Sequence, residues 1–145
     1  MKKQTHSILI IAALILTVLS SVRAQSAHLI EGNIPFNFVI RDRALPAGEY
    51  RFALIQIGGS DLLKIQSADG HITAIVPTRS AYAKGGQAEP KLVFNRYEDQ
   101  YFLVLVYGLE ENSEQRLVRS PAEDVLATRA SAPRRRTEVI TARKR

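Results

Sequence analysis

Past residue 24 the hydrophobic positions of this chain recur with a period of two. Before it they form one block. From Ile8 to Leu19 the chain is apolar except at Thr17, with Lys2 and Lys3 ahead and Ser20-Ser21-Val22-Arg23-Ala24 behind. A basic start, a short apolar core and small residues near −3 and −1 predict a secretory signal over 1–24, cut between Ala24 and Gln25. The block is shorter than the roughly 20 apolar residues that cross a bilayer, so the processed chain is not expected to span a membrane.

In the remainder, residues 25–145, Ile34, Phe36, Phe38 and Ile40 alternate with Pro35, Asn37, Val39 and Arg41, which predicts a strand with one buried face. Proline cannot donate to a ladder, so Pro35 belongs at the strand start or on an edge. Leu45-Pro46-Ala47-Gly48 has the proline and glycine spacing of a type I turn. Glu49–Ile57 resumes the alternation, with Tyr50, Phe52 and Leu54 on one face, until Gly58-Gly59-Ser60-Asp61 breaks it. Leu62–Gln66 and Ile72–Pro77 read as strands around a tight turn at Ala68-Asp69-Gly70. Residues 79–90 carry Gly85-Gly86 and little periodicity, and so read as a long loop.

Lys91–Asn95 and Gln100–Tyr107 read as a hairpin around Tyr97-Glu98-Asp99. The second of these strands is apolar at every position from Tyr101, the mark of a strand covered on both faces. Alternation assigns Phe102, Val104 and Val106 to the core, with Leu103 and Leu105 beneath a loop or helix. Glu110–Gln115 reads as a polar loop. Ser120-Pro121-Ala122-Glu123 then has the cap, first-turn proline and capping-box glutamate of a helix start. That helix runs over about 121–129 with Val125 and Leu126 inward, and a closing edge strand follows over about 137–142. The sum is a single all-β domain, a small antiparallel sandwich or barrel of about seven or eight strands with one short helix near its C-terminal end.

Composition narrows the chemistry. There is no cysteine, which excludes disulfides, thiolate metal sites, a cysteine nucleophile and a lipid-modified cysteine. A domain of this length can bury roughly two thirds of its unfolded surface, enough for a core without staples. The net charge of +6 is unevenly placed. Residues 25–128 sum to −3, whereas 129–145 hold seven basic side chains against Glu138 alone.

The segments Ile34-Pro35-Phe36-Asn37-Phe38 and Leu45-Pro46-Ala47-Gly48-Glu49-Tyr50, with the hairpin Lys91-Leu92-Val93-Phe94-Asn95-Arg96-Tyr97 through Asp99-Gln100-Tyr101-Phe102-Leu103, form a recognisable set. Together the chain resembles a family of small, exported, functionally uncharacterised bacterial β-proteins over most of residues 30–142. The resemblance implies export and an all-β fold with a late helix and closing strand. It brings no activity. Arg134-Arg135-Arg136 is not part of that pattern.

No catalytic constellation stands out. His28 and His71 fall in separate loops without carboxylates at ligand spacing. Glu98-Asp99 and Glu110-Glu111 are sequence neighbours in turns, where side chains do not converge. No Gly-x-Ser-x-Gly elbow or phosphate-binding glycine pattern occurs. No catalytic, cofactor or metal residue is assigned, and no cofactor is expected.

Two features remain as candidate contacts. Arg134, Arg135, Arg136, Arg143, Lys144 and Arg145 would meet an anionic surface such as phospholipid, envelope polymer or nucleic acid. The plain reading of the same charges is a solvated helix end and a protected edge strand. Residues 129–145 hold no aromatic, so specific nucleic-acid readout is not expected. Arg79, Tyr82 and Lys84 would form a recognition tip on the long loop, unless Tyr82 folds back over the sheet. These features predict an exported, periplasmic or extracellular, non-enzymatic binding or structural module. Its partner would be an unknown envelope protein or anionic polymer. Electrostatic attachment through the basic end is a second reading, and an unrecognised hydrolase with scattered loop residues a third.

Overall fold

The computed structural model describes residues 29–83, 89–129 and 136–144. The described residues form eleven strands and one helix. The strands are β1 (Leu29–Ile34), β2 (Phe38–Ile40), β3 (Arg43–Leu45), β4 (Gly48–Ile57), β5 (Ser60–Ser67), β6 (Thr73–Tyr82), β7 (Lys91–Tyr97), β8 (Gln100–Tyr107), β9 (Ser113–Leu117), β10 (Arg136–Thr141) and β11 (Arg143–Lys144); helix α1 spans Pro121–Arg129. All join one sheet in the order β10-β7-β8-β9-β6-β5-β4-β1-β11, with β2 attached to β8 and β3 to β2. The sheet is open, not a closed barrel. Its two ends, β10 and β11, are consecutive in the chain with Ala142 alone between them.

Turn chemistry fixes the hairpins. Gly58 and Gly59 adopt φ of 60° and 78° between Ile57 and its register partner Ser60, the two-residue hairpin geometry that glycine reaches without strain. At the next turn Asp69 accepts hydrogen bonds from the Ser67 hydroxyl and the His71 N–H. These bonds, the Ser67 one foremost, hold its carboxyl below the usual range. Strand β6 pairs with β5 as far as Pro77 and with β9 from Thr78, so it passes from one layer to the other. One core lies between the layers. It gathers Ile30, Ile34, Phe38, Tyr50, Phe52, Leu63, Ile65, Leu92, Phe94, Leu103 and Val106. Phe38 meets the rings of Tyr50 and Phe94 edge-on at 5.2 and 5.6 Å, and Phe36 stacks on Tyr101 at 3.8 Å.

Burial costs Tyr50 little because its hydroxyl donates to the Pro46 carbonyl at 2.8 Å. The same burial raises its pKa. Two glycines sit at close approaches, and backbone contact with positive φ makes glycine necessary at Gly108. A Cβ on Gly32 would lie 2.8 Å from Leu92 Cδ1, and one on Gly108, at φ +88°, would lie 2.7 Å from Pro90 Cα.

The structure corrects several expectations. The strand read from Ile34 to Arg41 is two strands, because Pro35–Asn37 break the ladder and Asn37 Oδ1 instead accepts the Ala47 N–H at 3.0 Å. The loop read over 79–90 begins later, since Arg79–Tyr82 continue β6 opposite β9. For the same reason Ser113–Gln115 belong to a strand, not to a polar loop. The count rises from seven or eight strands to eleven chiefly through the short β2, β3 and β11.

Alternation fails inside β8. Val93 pairs with Leu105 and Phe94 with Leu103, leaving Val104 as an unpaired bulge. The inward side therefore switches. Leu103 and Val106 enter the main core, whereas Phe102 is buried on the opposite face against Tyr97, their rings 5.8 Å apart.

Candidate functional site

Helix α1 starts as its sequence dictates, with the Glu123 N–H donating to the Ser120 hydroxyl at 3.1 Å. What it buries is unusual. Val125, read as inward, is 49% exposed, whereas Glu123 is 3% exposed. The Glu123 carboxylate accepts from Asn95 Nδ2 at 2.8 Å and from the Tyr97 hydroxyl at 3.4 Å. A buried carboxylate is tolerable only with such partners. The helix is thus fastened to the outer face of β7 by a polar clasp instead of an apolar stripe.

Next to that clasp the sheet opens. Strand β8 is flanked by β2 at Tyr101 and Phe102 and by β9 at Leu105–Tyr107. The exchange of neighbours falls at the Val104 bulge, where β9 ends and residues 118–120 leave for the helix. The result is a groove of ≈ 260 Å³ lined by Arg79, Asn95, Val104, Leu105, Arg116, Leu117, Val118 and Arg119.

Three arginines border it. Arg79 and Arg116 are register partners on β6 and β9, and Leu105 is the partner of Arg116 on β8, so all three side chains share the outer face. Like charges directly opposite each other destabilise a sheet. Arg116 is bound to Glu114, Nη2 to Oε1 at 2.8 Å. Among the described residues no carboxylate lies within 4.0 Å of Arg79 or Arg119. Among the described residues the groove is therefore electropositive, with half-buried Val104 and Leu105 as its apolar ground. Beside it, burial foremost and then the hydrogen bond with Glu114 raise the pKa of Tyr107, whose ring carries Lys91 Nζ at 4.5 Å.

The residues singled out in the sequence are dispersed. Ala24, Gln25, His28, Lys84, Arg134, Arg135 and Arg145 lie outside the described residues. Arg136 opens β10 opposite Arg96, while Arg143 and Lys144 form β11 opposite Glu31 and Ile30. Six residues, 137–142, lie between Arg136 and Arg143, and the two stand on different strands. Arg143 also lies 4.0 Å from Glu49.

Arg79 and Tyr82 stand on a strand instead of a loop tip. Tyr82 is 91% exposed, so it does not fold back over the sheet. Arg79 does reach a groove, in the company of Arg116 and Arg119 and not of Tyr82. The sequence signal for this trio was only that each arginine interrupts or follows a short β-like run. His71 is exposed and pairs with Asp69, Nδ1 to Oδ2 at 3.2 Å. Glu98, Asp99, Glu110 and Glu111 are all exposed. Compared with models of protein families, with curated proteins and with solved structures, the chain matches none.

Proposed function

We propose that this chain is an exported, non-enzymatic binding module of the cell envelope that holds an anionic partner in the arginine-bordered groove. The observation that carries this reading is the Arg79–Arg116 pair. Two guanidiniums on directly opposed positions repel, and Glu114 offsets the charge of Arg116 only, which leaves Arg79 without a carboxylate partner among the described residues. The lining supports binding over turnover, because it contains arginine, asparagine, valine and leucine but no nucleophile, histidine or carboxylate to move a proton. Export rests on the N-terminal apolar block and its Ala24-Gln25 junction.

Attachment through the basic C-terminal end is the competing reading. It is supported by the exposure of Arg143 and Lys144 and weakened by the approach of Arg143 to Glu49 at 4.0 Å. The two are told apart on the chain recovered from the envelope of cells that express it from residue 1. Its mass is expected to start at Gln25; an uncut chain in the cytoplasm would overturn the export reading. Capture of an anionic envelope component is expected to fail after Arg79→Met with Arg119→Met, and to survive Arg143→Gln with Lys144→Gln. The opposite pattern would move the binding site to the C-terminal end.

A further inference from the structure

Resting on that reading, we infer that the groove takes a small single-chain amphiphile, with a carboxylate or phosphate head among Arg79, Arg116 and Arg119 and a short apolar tail on Val104, Leu105 and Val118. Each half of the groove argues for one half of the ligand. On the polar side stand Arg79, Arg116 and Arg119, of which Arg116 is bound to Glu114 outside the lining. Arginine forks present parallel N–H donors that match the oxygens of carboxylate or phosphate. Glu114 already offsets the charge of Arg116, so an entering anion gains chiefly from Arg79 and Arg119, which no described carboxylate neutralises.

The other side needs something apolar. Val104 and Leu105 are only half-buried, and Val118 is 42% exposed, although Leu117 beside them belongs to the core. Val104, Leu105 and Val118 line the floor of the groove where β9 leaves β8, whereas Leu117, the register partner of inward Thr78, turns its side chain to the core. A bare phosphate would satisfy the arginines and leave that floor wet. The aliphatic stems of the arginines can screen part of it, as such stems do, but they cannot do so while their heads turn together onto one anion.

Size and composition select the ligand further. A volume of ≈ 260 Å³ is at the small end for a ligand site. It equals roughly eight or nine water-sized volumes of about 30 Å³, enough for one anionic head and a chain of a few carbons. A polymer could place only one group there. The lining has no aromatic on which a base could stack. The occupant is thus a free molecule and not a bilayer, since a planar surface presents many heads to a site that accepts one.

The test is calorimetric titration of the exported chain with inorganic phosphate, butyl phosphate, hexyl phosphate and hexanoate, alongside vesicles of phosphatidylglycerol. The affinity is expected to rise from inorganic to hexyl phosphate, by up to about fourfold per methylene if burial is complete. The binding heat capacity should become more negative with chain length. Hexanoate should bind at the same site and be displaced by hexyl phosphate.

Arg79→Met with Arg119→Met keeps the stems and should lower the affinity for every anion at least tenfold. Leu105→Ser should flatten the dependence on chain length while leaving the head affinity; a circular dichroism melt confirms that each variant is folded. If inorganic phosphate binds as well as hexyl phosphate, the amphiphile is wrong and the anion site stands. If no anion binds, both fail. Binding to vesicles that hexyl phosphate cannot displace also overturns the inference.

Discussion

Two arginines face each other across β6 and β9, and Glu114 offsets the charge of only one of them. Position 79 is exposed and strand-forming, so threonine would suit it better. Arg79→Thr is therefore expected to stabilise the free protein by roughly 0.2–1 kcal/mol, the usual size of a cross-strand term. The same change should weaken anion binding. A higher urea midpoint at unchanged slope, with lower affinity, is the expected pair of results; lower stability would show that Arg79 is structural. Glu123 is the reverse case. Its removal leaves the Asn95 amide and Tyr97 hydroxyl without this acceptor beneath the helix. Glu123→Ala should cost about 1–3 kcal/mol, whereas Glu123→Gln keeps an acceptor and should cost less. Equal losses in the two variants would show that the clasp is not a hydrogen-bonding one.

At the level of elements, the β5–β6 turn carries a measurable pH dependence. Asp69 has a lowered pKa, chiefly through the Ser67 hydroxyl. A lowered value means that the ionised turn favours folding at pH above the unfolded value near 3.9, and that this contribution fades as pH falls through the folded value. Wild type is expected to exceed Asp69→Ala in stability at pH 7, with the gap narrowing steadily below about pH 4. A gap that stays constant down to pH 2 would show the turn is held by geometry alone.

The same turn was legible in the sequence, and so were the hairpins at Gly58-Gly59 and Glu98-Asp99, because each depends on residues adjacent in the chain. The last third of β6 was not. Its inward positions Thr78 and Ser80 are polar, since both hydroxyls donate to Gln115 Oε1 across β9, at 3.1 and 2.9 Å. A hydrogen-bonded inner face erases the hydrophobic alternation that announces a strand. The bulge at Val104 hid the switch of faces in β8 in the same way, because a run apolar at every position carries no phase. The candidate site combined both failures. Arg79 and Arg116 lie far apart in sequence and meet only through the β6–β9 register, beside a bulge that opens the floor.

Taken as a whole, the molecule depends on its final strands to hold the two ends of an open sheet together. Strand β10 covers β7 along its full length, from Arg136 opposite Arg96 to Thr141 opposite Lys91. One residue later β11 pairs with the far end of the sheet at Ile30 and Glu31. Between them Ala142 is buried, and its N–H donates to the Pro90 carbonyl at 2.9 Å. This span is extended chain held by backbone hydrogen bonds, and it covers Leu92 and Phe94, both fully buried. Without it β7 becomes an exposed edge carrying the apolar run Leu92-Val93-Phe94, an arrangement prone to pair with another molecule. A chain ending at Arg135 should therefore lose cooperative unfolding and self-associate, as read by a broadened thermal transition and by sedimentation. Substituting Arg143 and Lys144 by glutamine alters only exposed side chains and should leave the transition sharp. A truncated chain that still melts as one cooperative monomer would show that the core is closed without its last strands, and the basic end would then be free to serve a partner.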